Sequence, residues 1–163
     1  MPLSIPLVGA VDAPPSVQGH WRFDVSVAGG ATSVDFNVDG DVLAQADVDA
    51  VAPFLAKVDE FDRLARRMFE ELREDGAVAS YVEHHLEEFD AADLTGLFGT
   101  ADPAAIDARR FLSKLALHRI GLYPDAEDAS AVFDYTIGRG LTQYVLTVGF
   151  DREGDVVAVE MES

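Results

Sequence analysis

Bulky residues alternate with small or polar ones through the last third of the chain. Phe133, Tyr135 and Ile137 alternate with Val132, Asp134 and Thr136; after Gly138-Arg139-Gly140 the alternation resumes with Tyr144, Leu146, Val148 and Phe150. Beyond the turn cluster Asp151 to Asp155, a third run places Val157, Val159 and Met161 on one side. A period of two sends successive side chains to opposite faces of a strand. Three such runs with short connections predict an antiparallel meander, and its bulky face needs a covering layer. The same period recurs near the start, where Trp21, Phe23, Val25 and Val27 precede a turn at Ala28 to Ala31, and Val34, Phe36 and Val38 complete a hairpin. Pro2, Pro6, Pro14 and Pro15 leave room for only a short edge strand between Ser4 and Val8.

Between these strand regions the period lengthens. Val51, Leu55, Val58, Leu64, Ala65, Met68, Phe69 and Leu72 recur at helical spacing, predicting a helix that runs to about residue 73. Pro53 either bends it, if Asp47 is the N-cap, or sits in its first turn, if it begins near Ala52. Gly76 separates it from a second helix whose stripe is Val78, Tyr81, Val82, His85, Leu86 and Phe89. A short turn follows from Asp90 to Leu97, and Asp102-Pro103 predicts the start of a third main helix carrying Ala104, Ala108, Phe111, Leu112 and Leu115. His118 to Tyr123 reads as a further strand. Strands, then helices, then strands predict an α+β fold with a mainly antiparallel sheet, built from the N-terminal hairpin and the C-terminal meander, and central helices on one face. At 163 residues, 1–163 is read as a single domain.

Charge and composition narrow the chemistry. There is no cysteine, which removes disulfides, zinc-thiolate sites and thiol nucleophiles. No basic residue precedes Arg22 and no apolar run is long enough for a bilayer, so a cytoplasmic protein is expected. The formal charge of -18 disfavours nucleic acid and anionic lipid and favours a basic protein partner. The acid is spread along the whole chain, and 2 Lys against 10 Arg resembles a proteome-wide bias, so a merely solubilising surface explains much of it.

Several stretches resemble sites. Asp35-Phe-Asn37-Val-Asp39-Gly40 matches the first half of a calcium loop, but Ala46 stands where the bidentate carboxylate belongs. His84 and Glu88 lie one turn apart and are weak metal or general-base candidates, while His85 falls in the middle of the apolar stripe and is expected to be a neutral, hydrogen-bonded core residue. Asp125 and Asp134 offer carboxylates for acid-base work. No nucleophile elbow, phosphate-cradling loop or dinucleotide fingerprint is present, so no catalytic residue and no cofactor is assigned. The second face of the meander carries Asp134, Thr136, Val145, Thr147, Gly149, Val156 and Ala158, a set small enough for another surface to approach closely. Either the N-terminal hairpin covers it, or it is an interface with a protein partner or a second copy of the chain; Asp134, Thr136, Thr147, Gly149 and Ala158 are its candidate contact residues.

A family resemblance rests on His84-His85-Leu-Glu-Glu, Leu115 to Asp125, Ala131 to Gly138, Leu141-Thr142 with Tyr144, and Met161-Glu-Ser163. These stretches resemble the bacterial family called domain of unknown function two thousand and four, and Ile5-Pro6 and Gly9 resemble its opening. The resemblance implies a small bacterial cytosolic protein and carries over no catalytic or binding residue. With no constellation for chemistry alongside a large field of one sign, the reading is a non-enzymatic interaction module, regulatory or of the immunity type, acting through its acidic surface or the small-residue sheet face. The alternative is a metal-assisted hydrolase or small-molecule binder using His84, Glu88 and nearby carboxylates.

Overall fold

The chain was examined as a computed structural model, which describes residues 2–27 and 30–163. Ala28 and Gly29, at the predicted turn of the first hairpin, lie outside the described residues. Strands β1 (Leu3–Ile5) and β2 (Gly9–Val11) pair with each other in a separate two-stranded sheet. Strands β3 (His20–Val27) and β4 (Gly30–Asn37) form the predicted hairpin, followed by α1 (Gln45–Ala56), α2 (Val58–Glu71), α3 (Gly76–Glu88), α4 (Ala91–Phe98) and the short α5 (Ala108–Leu112). The C-terminal strands are β5 (Ala116–Leu122), β6 (Ala131–Thr136), β7 (Val145–Phe150) and β8 (Val156–Glu162). All six strands from β3 to β8 lie in one sheet in chain order, so the α+β class and mainly antiparallel sheet are as expected.

One pairing is parallel. The helices carry the chain back to the same end of the sheet, so β5 runs alongside β4 in the same direction, with Ser33 opposite Arg119 and Phe36 opposite Leu122. No local period announces such a crossover, since it depends on where the helices end.

The helices cover one face. Phe54 of α1 and Phe61 of α2 meet Phe150, Phe61 meets Phe133, and Phe69 meets Tyr135 edge-on with centroids 5.1 Å apart. Val34, Phe36, Ile120, Leu122, Leu146 and Val148 complete a fully buried layer beneath them. The β1–β2 hairpin packs on α1.

Three boundaries differ from the predicted ones. The long helix is two: Lys57 leaves helical geometry at φ -117°, ψ 33° and serves as both the end of α1 and the cap of α2. Pro53 lies inside α1, whose N-cap is Ala44; Asp47 sits in the first turn, where its carboxylate accepts the Ala44 N–H at 3.0 Å. The third main helix is only a 3-10 turn at Pro103–Ala105 followed by α5. Ile106 turns its backbone to the extended region and is itself buried, and Asp107 recaps the chain by accepting the Arg110 N–H at 2.8 Å. The β6–β7 connection spans residues 137–144, longer than a tight hairpin turn. Tyr81 binds both of its ends, its hydroxyl accepting the Ile137 N–H and donating to the Tyr144 carbonyl.

Candidate functional site

The opposite face of the sheet is where polar chemistry collects. Antiparallel and parallel registers align Asp24, Ser33, Arg119, Asp134, Thr147 and Glu160 in one row that crosses all six strands. The concavities on this face are lined by strand residues and loops alone, among the described residues, with no helix contributing. β3 and β4 are themselves the first two strands of this sheet, so the N-terminal hairpin does not cover the face, and the first of the two accounts given for the small-residue face is set aside.

Arg119 is the centre of the row. Its Nε donates to the Asp35 carboxylate, its Nη1 to Asp134 Oδ2 at 3.3 Å, and its Nη2 to the Tyr123 hydroxyl at 3.3 Å. Burial works against its positive charge, yet the bonds to Tyr123 and Asp35 outweigh that and raise its pKa. Asp35 is only 5% exposed; His20 Nε2 lies 3.6 Å from the oxygen that Arg119 holds, and the other oxygen, Oδ1, is the one buried side-chain N or O atom without a partner among the described residues. Burial pushes the Asp134 carboxyl up to about 6, with Arg119 opposing and Glu162 and Asp35 adding to the rise.

Beside this cluster lies a concavity of about 230 Å³. Its floor includes Thr147, Gly149 and Ala158, and Asp134, Glu160 and Glu162 stand around it with Arg119 and Tyr123. Thr147 is buried and donates to the Glu160 carbonyl at 3.4 Å. Gly149 needs no unusual backbone; an added Cβ would meet Ala129 and Ala158 at 3.4 and 3.6 Å, ordinary contact distances, so its role in the floor is depth.

Of the residues read from the sequence, the structure brings Asp134, Thr147, Gly149 and Ala158 together at this concavity. Thr136 shares the face but not the concavity; its hydroxyl accepts the Gly138 N–H at 3.0 Å and shapes the β6–β7 loop. Val156 belongs to the other face: a register shift between Gly149 and Phe150 pairs it with Phe150 and leaves Val157 half-exposed. A second shift in β5 isolates His118 between Leu117 and Arg119. Arg119, Glu160 and Glu162 are not among the sequence candidates, and Asp35 is among them only as part of the calcium-loop match. Only the low basic content could have pointed to Arg119, as a rare cation within a strand.

The other candidates have structural roles. Asp35 and Asn37 are not calcium ligands: Asp35 is held by Arg119, and Asn37 donates to the Leu122 carbonyl at 3.3 Å. Asp125 accepts the Asp39 N–H at 2.9 Å and so ties two loops together. His85 is 1% exposed, with Nδ1 2.7 Å from the Tyr81 carbonyl and Nε2 2.8 Å from the Thr142 hydroxyl. Only a protonated Nδ1 can satisfy that carbonyl, so Nε2 is the acceptor. Burial, aided by His84, lowers its pKa against the opposing Tyr81 bond, and the ring is neutral. His84 packs edge-on against Tyr144, Glu88 is exposed, and among the described residues no three His, Cys, Asp or Glu side chains are grouped to hold a metal ion. No described helix is long and apolar enough to cross a membrane.

No protein-family model, curated protein or solved structure matches the chain.

Proposed function

We propose that the chain is a non-enzymatic protein-binding module whose open sheet face receives a basic side chain of a protein partner. The carrying observation is the acidic half of that face, where Asp134, Glu160 and Glu162 stand around a floor of Thr147, Gly149 and Ala158. The single arginine there is shared between Asp35 and Asp134, and with Glu160 and Glu162 beside it the concavity still has an excess of negative charge, so complementarity selects an arginine or lysine. The small floor residues let that side chain reach the sheet, and the overall charge of -18 steers a basic partner toward it. In this reading the module is regulatory or an immunity-type inhibitor of a basic toxin, which its size and charge fit, and the family resemblance implies a bacterial cytoplasm for it.

The test is calorimetric titration with an arginine-rich peptide at low and high salt. Glu160→Gln with Glu162→Gln is compared with Glu87→Gln and Glu88→Gln on α3, which remove the same charge from the helix side of the molecule. Loss of about tenfold in affinity from the first pair, and little from the second, is the expected result. Equal loss from both pairs would mean that the peptide reads net charge alone, and the proposed face would be wrong.

A further inference from the structure

The other end of the open face has the opposite sign. In a chain with 12 Lys and Arg against 30 Asp and Glu, Arg22 from β3, His118 from the irregular step in β5, and Arg139 from the β6–β7 loop line one cavity of about 100 Å³, with Asp24 of β3 the carboxylate on its wall. Ser33 of β4 lines the same cavity; it is 6% exposed, and its hydroxyl makes no hydrogen bond among the described residues. Arg139 likewise has no hydrogen-bonded or ion-paired partner among them, and Arg22 has only Asp24 at 3.7 Å, a loose and exposed pair. A solvent-reachable hydroxyl with no protein partner, at the wall of a cavity that two guanidinium groups share, leaves its donor free for a ligand.

We propose that Arg22, His118, Arg139 and Ser33 form a binding site for a tetrahedral oxyanion of the phosphate class. Guanidinium groups bind such oxyanions through paired N–H donors, and the hydroxyl supplies a further donor from the floor. The volume lies well below the roughly 300–1,000 Å³ of sites that enclose a drug-sized ligand, so one phosphate-sized group fits and a nucleoside does not. Arg22 and Asp24 from β3, Asp35 from β4, Arg119 of the same strand and Arg139 from the loop are the charged groups facing His118. Burial first, then the three arginines, lower the His118 pKa, with Asp35 opposing. A bound anion offsets the arginines, so binding and protonation of His118 reinforce each other. This site is independent of the basic-partner reading, since it uses the other end of the face and the opposite charge.

The experiment is titration of the full chain with inorganic phosphate at constant ionic strength, followed by NMR of the His118 ring and of the residue 31–33 amides. Saturable shifts at those positions, with the His118 titration midpoint moving up, are expected. Arg139→Gln and Ser33→Ala should each weaken binding by about tenfold, and because Arg139 is exposed, its variant keeps the fold. Acetate should give much weaker shifts. Absence of saturation, shifts unchanged in Arg139→Gln, or acetate matching phosphate would overturn the assignment.

Discussion

The two faces of the sheet each hold an arginine with a carboxylate and a tyrosine, and the two clusters end differently. On the helix face, Tyr135 donates to Asp62 Oδ1 at 2.7 Å, Arg66 Nε lies 3.1 and 3.2 Å from the two Asp62 oxygens, and Arg66 Nη1 reaches the Leu115 carbonyl at 2.9 Å. The Arg66 guanidinium also lies 5.3 Å from the Tyr135 ring centre. Both carboxylate oxygens are used, and burial together with Asp62 drives the Tyr135 pKa far up, so the phenol is purely a donor. On the open face, Arg119 is shared between Asp35 and Asp134, one Asp35 oxygen has no partner, and Asp134 borders a concavity. The closed cluster is a joint between helix and sheet; the open one has unsatisfied bonding capacity and borders a concavity.

The largest expected effect comes from removing the two arginines. Arg119→Met strips the buried Asp35 of its guanidinium, leaving the part-exposed His20 3.6 Å away, and should cost about 3–5 kcal/mol in chemical denaturation. Arg66→Met leaves Asp62 still bonded to Tyr135, with Arg66 more exposed than Arg119, and should cost about 1–2 kcal/mol. The reverse order would break the comparison.

Asp134→Asn separates the clusters through pH. The Asp134 pKa is raised from 3.8 to about 6 by folding, so its contribution to stability is complete below 3.8 and is lost as pH rises through 6. Asparagine avoids that loss, so the variant should be more stable than the parent at pH 7.5 by about 2 kcal/mol and equal to it near pH 3.5, in denaturation curves across that range. His85 has the opposite sign: its pKa is lowered, so stability is present above its ordinary value of 6.5 and falls as pH drops through the lowered value. Acid loss from His85 should therefore stand out in Asp134→Asn, where the compensating gain is gone.

Tyr135→Phe should cost about 1–2 kcal/mol with no pH dependence between 5 and 8, because the phenol does not ionise there. A pH-dependent cost would mean the closed cluster titrates as the open one does. Gly149→Ala is the smallest change, within about 0.5 kcal/mol by thermal melt, since its Cβ has room. A larger loss would show that the floor of the open face is packed more tightly than its geometry implies.

The amphipathic patterns were legible because each reports on a single element. Phe133, Tyr135, Leu146 and Val148 alternate inward as expected, and the stripe around His85 placed that ring in the core before any coordinates. Val156 went to the wrong face because one extra residue at Val157 reverses the alternation, and nothing in a run of valines marks where such a step falls. The helix restart at Asp107 has no local mark, because the burial of Ile106, a tertiary effect, overrides the helix signal of Asp102-Pro103.

What this chain determined alone is which residues turn inward and which outward on each strand and helix, since those periods follow from backbone geometry over a few neighbours. Which strands lie side by side was decided only in three dimensions. Asp35 and Arg119 stand 84 positions apart and meet because the helical crossover returns β5 beside β4 in one register. Register is a contest among many distant contacts, so the centre of the open face exists in the folded molecule and nowhere in the local pattern.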